Sequence, residues 1–236
     1  MTGALYLVPN LLGAVAPADV LPQRTIDIAR RLDHWIVETP KPARAFLKSL
    51  DMSTPIANLD LRTFPIAPTS ASIAALLAPA REGGDIGVLT DAGCPGIADP
   101  GAAVVAAAHG AGVRVVPLVG PSAVLLALMA SGMNGQSFVF HGYLPVKPDA
   151  RTAALRALET DSRANRRRAE LFIETPYRNV AMLAAITQAL QATTWVCIAA
   201  DLTLATETIE RRPASAWRGH DIERFAKRPA LFVVQA

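Results

Sequence analysis

The sequence contains too few cysteines for a disulfide framework or a cysteine-based zinc site. Cys94 and Cys197 are the only two, and they lie far apart in the chain. We therefore expect a protein of the reducing cytoplasm, without a metal site.

Patterns typical of a secretory leader or a membrane span are also missing. The first ten residues, MTGALYLVPN, have no basic stretch ahead of an apolar core. The most apolar region, 102–132, is interrupted by His109, Arg114, Pro117 and Pro121. We expect no association with membranes.

Charged and aromatic residues are sparse, at 18% and 6%, whereas 51% of the residues are hydrophobic. This composition is typical of a globular protein with a substantial core. The formal net charge of +3 permits an anionic partner such as RNA without requiring one. No feature indicates DNA binding.

Short apolar runs alternate with helical patterns, which predicts an α/β fold with helices packed on a parallel sheet. We place a domain boundary near residue 120, which predicts two α/β domains, 1–119 with a parallel sheet and 120–236 with a mixed sheet. The predicted strands are 4–8, 34–38, 85–90, 113–119, 170–174, 194–200, 205–212 and 229–236. The predicted helices are 23–31, 40–50, 70–80, 99–112, 120–132, 148–160 and 178–190.

The segment LTDAGCPGIADPG, residues 89–101, carries more special backbone chemistry than a strand-to-helix connection needs. Gly93 and Gly96 let the backbone approach a ligand closely, and Pro95 stiffens the segment. We expect a helix capped by Asp99, with Pro100 at its first position and free N–H groups that could meet a carboxylate or phosphate.

Two other loops, 8–13 and 119–123, follow strands of the same predicted sheet. Neither matches G-x-G-x-x-G or the P-loop pattern, so dinucleotide and P-loop nucleotide binding are not supported. Because ligands bind beyond the carboxyl ends of parallel strands, the three loops together predict a single pocket.

Glu38 and Glu174 both end predicted strands at the expected pocket edge. Each could bind or position substrate or accept a proton, and each could instead be an anion at a helix start. We interpret Cys94 as a small pocket-lining residue rather than a nucleophile, because its sequence surroundings are apolar.

Two basic patterns could contact phosphates. Residues 163–168, RANRRR, form the densest basic run, and Lys41, Arg44 and Lys48 lie at helical spacing on one face. Both patterns are also ordinary for a solvated surface, and no interleaved aromatic residues indicate base stacking.

Six motifs, in order along nearly the whole chain, resemble the tetrapyrrole methylase superfamily of S-adenosylmethionine-dependent methyltransferases. The resemblance is greatest to its branch that methylates ribose 2′-hydroxyls of small-subunit ribosomal RNA. The matching residues are Pro9 with Gly13, Thr90–Pro95 with Asp99–Gly101, Val116–Ala123, Gly142–Pro145, Phe172–Arg178, and Asp201–Thr203 with Glu207. Where that branch usually has Glu-Asp-Thr-Arg after the second strand, this chain has Glu38-Thr39-Pro40-Lys41.

The resemblance implies two α/β domains, S-adenosylmethionine in the cleft between them, and a homodimer. It implies methyl transfer to RNA, with a small molecule such as a tetrapyrrole, or a non-catalytic cofactor-binding role, as alternatives. The implied cofactor-binding residues, to which we add Gly93 and Pro95 of the loop at 89–101, are Pro9, Asp91, Cys94, Ile97, Ser122, Ala123, Phe172, Ile173, Leu202, Pro229 and Ala230.

Overall fold

The computed structural model describes residues 2–236 and confirms the predicted α/β fold class. The chain forms two compact units, of which the first ends at Ser122 and the second comprises Ala123–Ala236.

The first unit contains a five-stranded sheet that is parallel throughout, in the order β3-β2-β4-β1-β5. Its central strands are short and apolar, as is typical of a sheet covered on both faces. Its strands are β1 (Ala4–Leu7), β2 (His34–Val37), β3 (Asp60–Thr63), β4 (Ile86–Leu89) and β5 (Arg114–Pro117).

Helices cover this sheet and bury a separate hydrophobic cluster on each face. Alternate side chains of β2 show the division, because Trp35 and Val37 belong to one cluster and Ile36 to the other. The helices are α1 (Pro17–Val20), α2 (Gln23–Ala29), α3 (Pro40–Ser49), α4 (Ser70–Leu76), α5 (Ala78–Arg81) and α6 (Gly101–Gly110).

The second unit contains a mixed five-stranded sheet in the order β6-β7-β10-β8-β9, in which only β6 and β7 pair in parallel. Phe172 and Phe232 stack in its core with ring centroids 5.2 Å apart. The elements are α7 (Ala123–Ser131), β6 (Phe138–Tyr143), α8 (Pro148–Ala164), β7 (Ala169–Glu174), α9 (Asn179–Ala189), β8 (Trp195–Ala200), β9 (Thr208–Pro213) and β10 (Ala230–Gln235).

Several predicted bounds were wrong for identifiable reasons. The helix predicted over 70–80 is two helices, because Pro79 cannot donate the backbone hydrogen bond that a continuous helix requires. The helix predicted from Asp99 begins at Gly101, with Pro100 as its N-cap. The helix α7 begins three residues later than predicted, at Ala123. The edge strand β3 was not predicted, since its sequence DLRT has no apolar run.

None of the helices within residues 2–236 combines the length and the apolar character that a bilayer crossing requires.

Candidate functional site

The loop after β1 and the loop after β4 are joined by hydrogen bonds from one buried residue, Asn10. Its backbone N–H donates to the Gly93 carbonyl over 2.9 Å. Its side-chain Nδ2 donates to the carbonyl oxygens of Thr90 at 2.8 Å and Asp91 at 3.1 Å. The first two of the three predicted loops therefore meet at the carboxyl edge of the sheet.

The loop after β5 joins the same group. The Cys94 Sγ lies 3.4 Å from the Pro121 carbonyl oxygen, to which it donates. A Cβ added to Gly120 would lie 2.4 Å from the Pro9 Cβ, so Pro9 packs closer to position 120 than any other residue there would allow. The structure thus brings together Pro9, Asp91, Gly93, Cys94 and the segment leading to Ser122.

Asp99 holds the segment 93–101, although the N-cap of α6 is Pro100 and not Asp99 as predicted. The Asp99 carboxylate accepts from the backbone N–H groups of Gly96 at 2.9 Å, Ile97 at 3.1 Å and Gly101 at 2.6 Å. We predicted that the start of this helix offers free N–H groups to an anion. For Gly101 this is wrong, because its N–H already donates to the Asp99 carboxylate. Gly93 and Gly96 have φ of 71° and 88°, which a residue with a side chain rarely adopts.

Burial and the charge of Asp99 raise the pKa of the Cys94 thiol above its ordinary value. A raised pKa lowers the fraction of thiolate, which is the nucleophilic form. The environment of Cys94 therefore supports a lining role. Pro95 is buried and Ile97 is exposed in this segment.

The end of β2 binds the β4 loop through two side chains. The Asp91 backbone N–H donates to Glu38 Oε2 at 3.0 Å, and the Thr39 hydroxyl donates to Asp91 Oδ2 at 2.8 Å. Glu38 is exposed. Its carboxylate therefore orients Asp91 while remaining open to solvent.

An open groove of about 350 Å³ lies beside these loops and is bounded on one side by α3. We refer to it as the α3 groove. It is lined by Asn10, Leu11, Leu12, Gly13, Pro42, Ala45, Phe46, Ser49, Asp91 and Ala92. A larger depression of about 650 Å³ lies on α2, and none of its lining residues comes from the three loops.

In the second unit, Glu174 is buried at the end of β7. Its Oε1 accepts from the Thr175 N–H at 2.6 Å, from Arg178 Nε at 2.8 Å and from Arg178 Nη2. Its Oε2 is buried without a hydrogen-bond partner among residues 2–236. One oxygen is therefore committed to the turn after β7, and the other is an acceptor without a donor.

The end of β8 and the start of β10 lie beside the end of β7, since Ala230 pairs with both Glu174 and Ala200. Asp201 donates its N–H to the Pro229 carbonyl at 2.9 Å, and its Oδ2 accepts from Arg228 Nε at 2.8 Å. The register of these three strands therefore places the predicted residues at one edge of the sheet. They are Ile173, Leu202, Pro229 and Ala230.

Phe172 differs from those four residues because its side chain lies in the core, stacked on Phe232. Only its backbone is placed to meet a ligand. Ala123 is the first residue of α7.

In the second unit, the ends of β7 and β8 carry polar atoms that fit S-adenosylmethionine chemically. Glu174 Oε2 and Thr203 Oγ1 are buried polar atoms without hydrogen-bond partners in the described chain. The ligand's amino groups are donors of the kind that such a carboxylate oxygen accepts. The described residues contain no cluster of three or more histidine, cysteine or acidic side chains able to hold a metal ion.

The family model for the tetrapyrrole (corrin/porphyrin) methylases matches residues 15–216. The chain belongs to this family. Its members are S-adenosylmethionine-dependent methyltransferases, and this protein is an enzyme of that type. The resemblance found in the sequence is thereby confirmed.

Two relatives of this tetrapyrrole methylase are named ribosomal RNA small subunit methyltransferase I. The one from Escherichia coli O157:H7 is 32% identical over 227 residues, which cover 94% of this chain and 74% of the relative. The one from Vibrio cholerae is 33% identical over 225 residues, which cover 93% and 73%. Among solved structures, the methyltransferase CobJ has a TM-score of 0.63 at 18% identity, covering 100% of this chain and 95% of CobJ, which supports the fold alone.

Sequence reasoning missed two residues that hold the site together, Asn10 and Arg228. Asn10 is a polar residue directly after a buried strand, and Arg228 directly precedes the predicted Pro229. Position at a strand end is the signal that could have found both, because side chains there can bond to neighbouring loops.

Proposed function

We propose that the protein methylates small-subunit ribosomal RNA at a ribose 2′-hydroxyl, using S-adenosylmethionine. The observation that carries this proposal is the match over more than nine-tenths of the chain to relatives named for that substrate. Similarity to structures of corrin and porphyrin enzymes, at 14–18% identity, bears only on the fold.

S-Adenosylmethionine, when bound, supplies an activated methyl group. The protein's part is then to bind, to orient the acceptor hydroxyl and to exclude water. In the first unit we assign cofactor binding to Pro9, Asp91, Gly93, Cys94, Pro95, Ile97 and Ser122. In the second we assign it to Ala123, Ile173, Leu202, Pro229, Ala230 and the Phe172 backbone.

The catalytic roles predicted for Glu38 and Glu174 stay predictions, and the geometry distinguishes the two residues. Glu38 is exposed, so its second oxygen can accept a proton from an acceptor hydroxyl while the first holds the Asp91 N–H. The Glu174 side chain is 0% exposed and its Oε1 holds the turn after β7, which supports a positioning role. Glu38 is thus the better candidate for contact with RNA.

The cytoplasmic location, the homodimer, the cleft position of the cofactor and the domain boundary at 119/120 also stay predictions. A ribosomal RNA substrate would require the cytoplasmic location.

Methyl transfer from tritiated S-adenosylmethionine to small-subunit ribosomal RNA tests the proposal. The RNA should come from a strain lacking the protein, with a reduced tetrapyrrole as the competing acceptor. Label in RNA at one site that resists alkaline cleavage would support the 2′-hydroxyl, because methylation there blocks attack on the adjacent phosphate. Label in the tetrapyrrole alone would contradict the proposal, and cofactor binding without transfer to either would favour a non-catalytic role.

Glu38→Gln separates the two roles of that carboxylate, with Glu82→Gln as an exposed control in the same unit. The amide oxygen of glutamine can still accept from the Asp91 N–H but cannot act as a base. If Glu38 is the base, turnover should fall by about 10²-fold or more while cofactor affinity is retained. Unchanged turnover would leave Glu38 with the positioning role only.

A further inference from the structure

The exposed face of α3 carries three cations and no anion. Lys41, Arg44 and Lys48 are exposed, and none of their side chains has an ion-pair or hydrogen-bond partner among residues 2–236. Spacings of three and four residues place them on one side of the helix, along about 10 Å of its length. We call these three residues the α3 basic face.

The α3 basic face borders the α3 groove. Around the helix, the buried residues Ala43, Phe46 and Leu47 face the core, whereas Pro42, Ala45 and Ser49 line the groove. Helical geometry places the groove-lining positions between the buried positions and the basic ones. The cations therefore form the outer rim of the groove on that side.

The opposite wall of the groove belongs to the loops assigned to the methyl donor. Leu12 and Asp91 line it, and Asp91 is held there by Glu38 and Thr39. A polyanion lying on the α3 basic face would thus have its sugars beside the predicted transfer site.

Several arginines elsewhere in the described chain are paired with nearby carboxylates, unlike the three cations of the α3 basic face. Arg62 pairs with Asp60, and Arg228 pairs with Asp201. In the competing basic run, Arg168 pairs with the buried Glu170, and Arg163 lies 3.5 Å from Glu159. Two of the four arginines in that run are thus partly neutralised, whereas all three α3 cations are available to phosphates.

We propose that the α3 basic face binds the phosphate backbone of the acceptor RNA, one phosphate per cation, and thereby delivers a ribose to the α3 groove. This inference rests on RNA being the substrate. It assigns to α3 a contact that is independent of base sequence, because cations read phosphates and not base edges.

The test compares Lys41→Gln/Arg44→Gln/Lys48→Gln with a matched control, Arg156→Gln/Arg166→Gln/Arg167→Gln. The control removes the same charge from exposed positions in and beside α8. Affinity for a fluorescein-labelled single-stranded RNA from the small subunit is measured by anisotropy between 0.05 and about 1 M salt. Each lost phosphate contact lowers the slope of log K against log salt by about 0.7, so the α3 variant should lose about 2 units of slope. At 0.1 M salt, the same relation predicts about 100-fold weaker binding.

Calorimetric binding of S-adenosylmethionine should be unchanged in both variants, which shows that they fold. Methylation by the α3 variant should show a raised KM for RNA with kcat retained, because the phosphate contacts position the substrate without touching the transferred group.

Equal slopes for the wild type and the α3 variant, with RNA bound normally, would overturn the α3 assignment alone. Loss of slope in the Arg156/Arg166/Arg167 variant instead would move the RNA contact to the second unit. Failure of the wild-type protein to bind or methylate RNA would overturn the proposed substrate as well.

Discussion

Gly120→Ala tests whether the β1 and β5 loops form one cofactor-binding unit. The added Cβ would lie 2.4 Å from the Pro9 Cβ and 2.7 Å from its Cγ, and 2.9 Å from a Leu21 methyl carbon. Leu21 can change rotamer, but the ring of Pro9 is closed onto its own backbone nitrogen and cannot rotate away. Gly120 has no positive φ, so the collision is the main effect of the substitution.

The magnitude follows from ordinary carbon–carbon contact distances of about 3.5–4.0 Å. The two loops must separate by about 1 Å or more to admit the methyl group. Overpacking of this kind costs about 1–3 kcal/mol of unfolding free energy. Where both loops contact the methyl donor, a comparable loss of binding free energy would weaken binding about tenfold for every 1.4 kcal/mol.

The assay is calorimetric titration with S-adenosylmethionine, together with urea denaturation. Gly135→Ala is the matched control, because its Cβ would meet nothing within 4 Å and its φ is not positive. We expect the control to bind as the wild type does and Gly120→Ala to bind about tenfold or more weakly. A Gly120→Ala dissociation constant within twofold of the wild-type value would refute the assignment of Pro9 and the 119–123 loop to the cofactor.

Three further predictions concern stability and reactivity. Gly110→Ala should stabilise the protein by about 0.5–1 kcal/mol in urea denaturation, because Gly110 ends α6 without a positive φ and its Cβ would meet open space; a destabilised variant would contradict this. Asp99→Ala should cost about 1–2 kcal/mol in the same assay, because three backbone N–H groups lose their acceptor; an unchanged midpoint would contradict it. Burial raises the pKa of Cys197 to about 12, and burial with the charge of Asp99 raises the pKa of Cys94. At pH 8 a disulfide reagent should therefore modify Cys94 slowly and Cys197 only after unfolding. Rapid modification of either thiol in the native protein would refute this.

The buried strands were predictable from the sequence because they are short apolar runs. Buried strands such as β4 and β8 are continuous apolar runs, and the burial of both faces explains why no alternation interrupts them. The loop at 89–101 was recognisable because its glycines and prolines exceed what a turn needs. The edge strand β3 was not, because pairing on a single side demands no apolar run from DLRT.

The ties between loops were beyond sequence reasoning, because they depend on register. Asn10 reaches Thr90 and Asp91 only because β1 and β4 are neighbours in register, with Leu7 opposite Val88. Local sequence specifies a strand but does not specify its neighbour, so such a contact follows only from the assembled sheet.

The acidic residues at or near the strand ends share one property. Each accepts hydrogen bonds from the backbone or from an arginine of an adjoining segment. Glu38 accepts from the Asp91 N–H, Glu174 from Thr175 and Arg178, and Asp201 from Arg228. An acid that must hold a loop is most effective when ionised, whereas a general base must exchange its proton during turnover. Methyl transfer from a sulfonium donor depends mainly on alignment, so carboxylates that fix loop positions suit this reaction. On this reasoning, the enzyme uses its strand-end acids chiefly for geometry, and Glu38, with one oxygen still open to solvent, is the acid at which a chemical role is best sought.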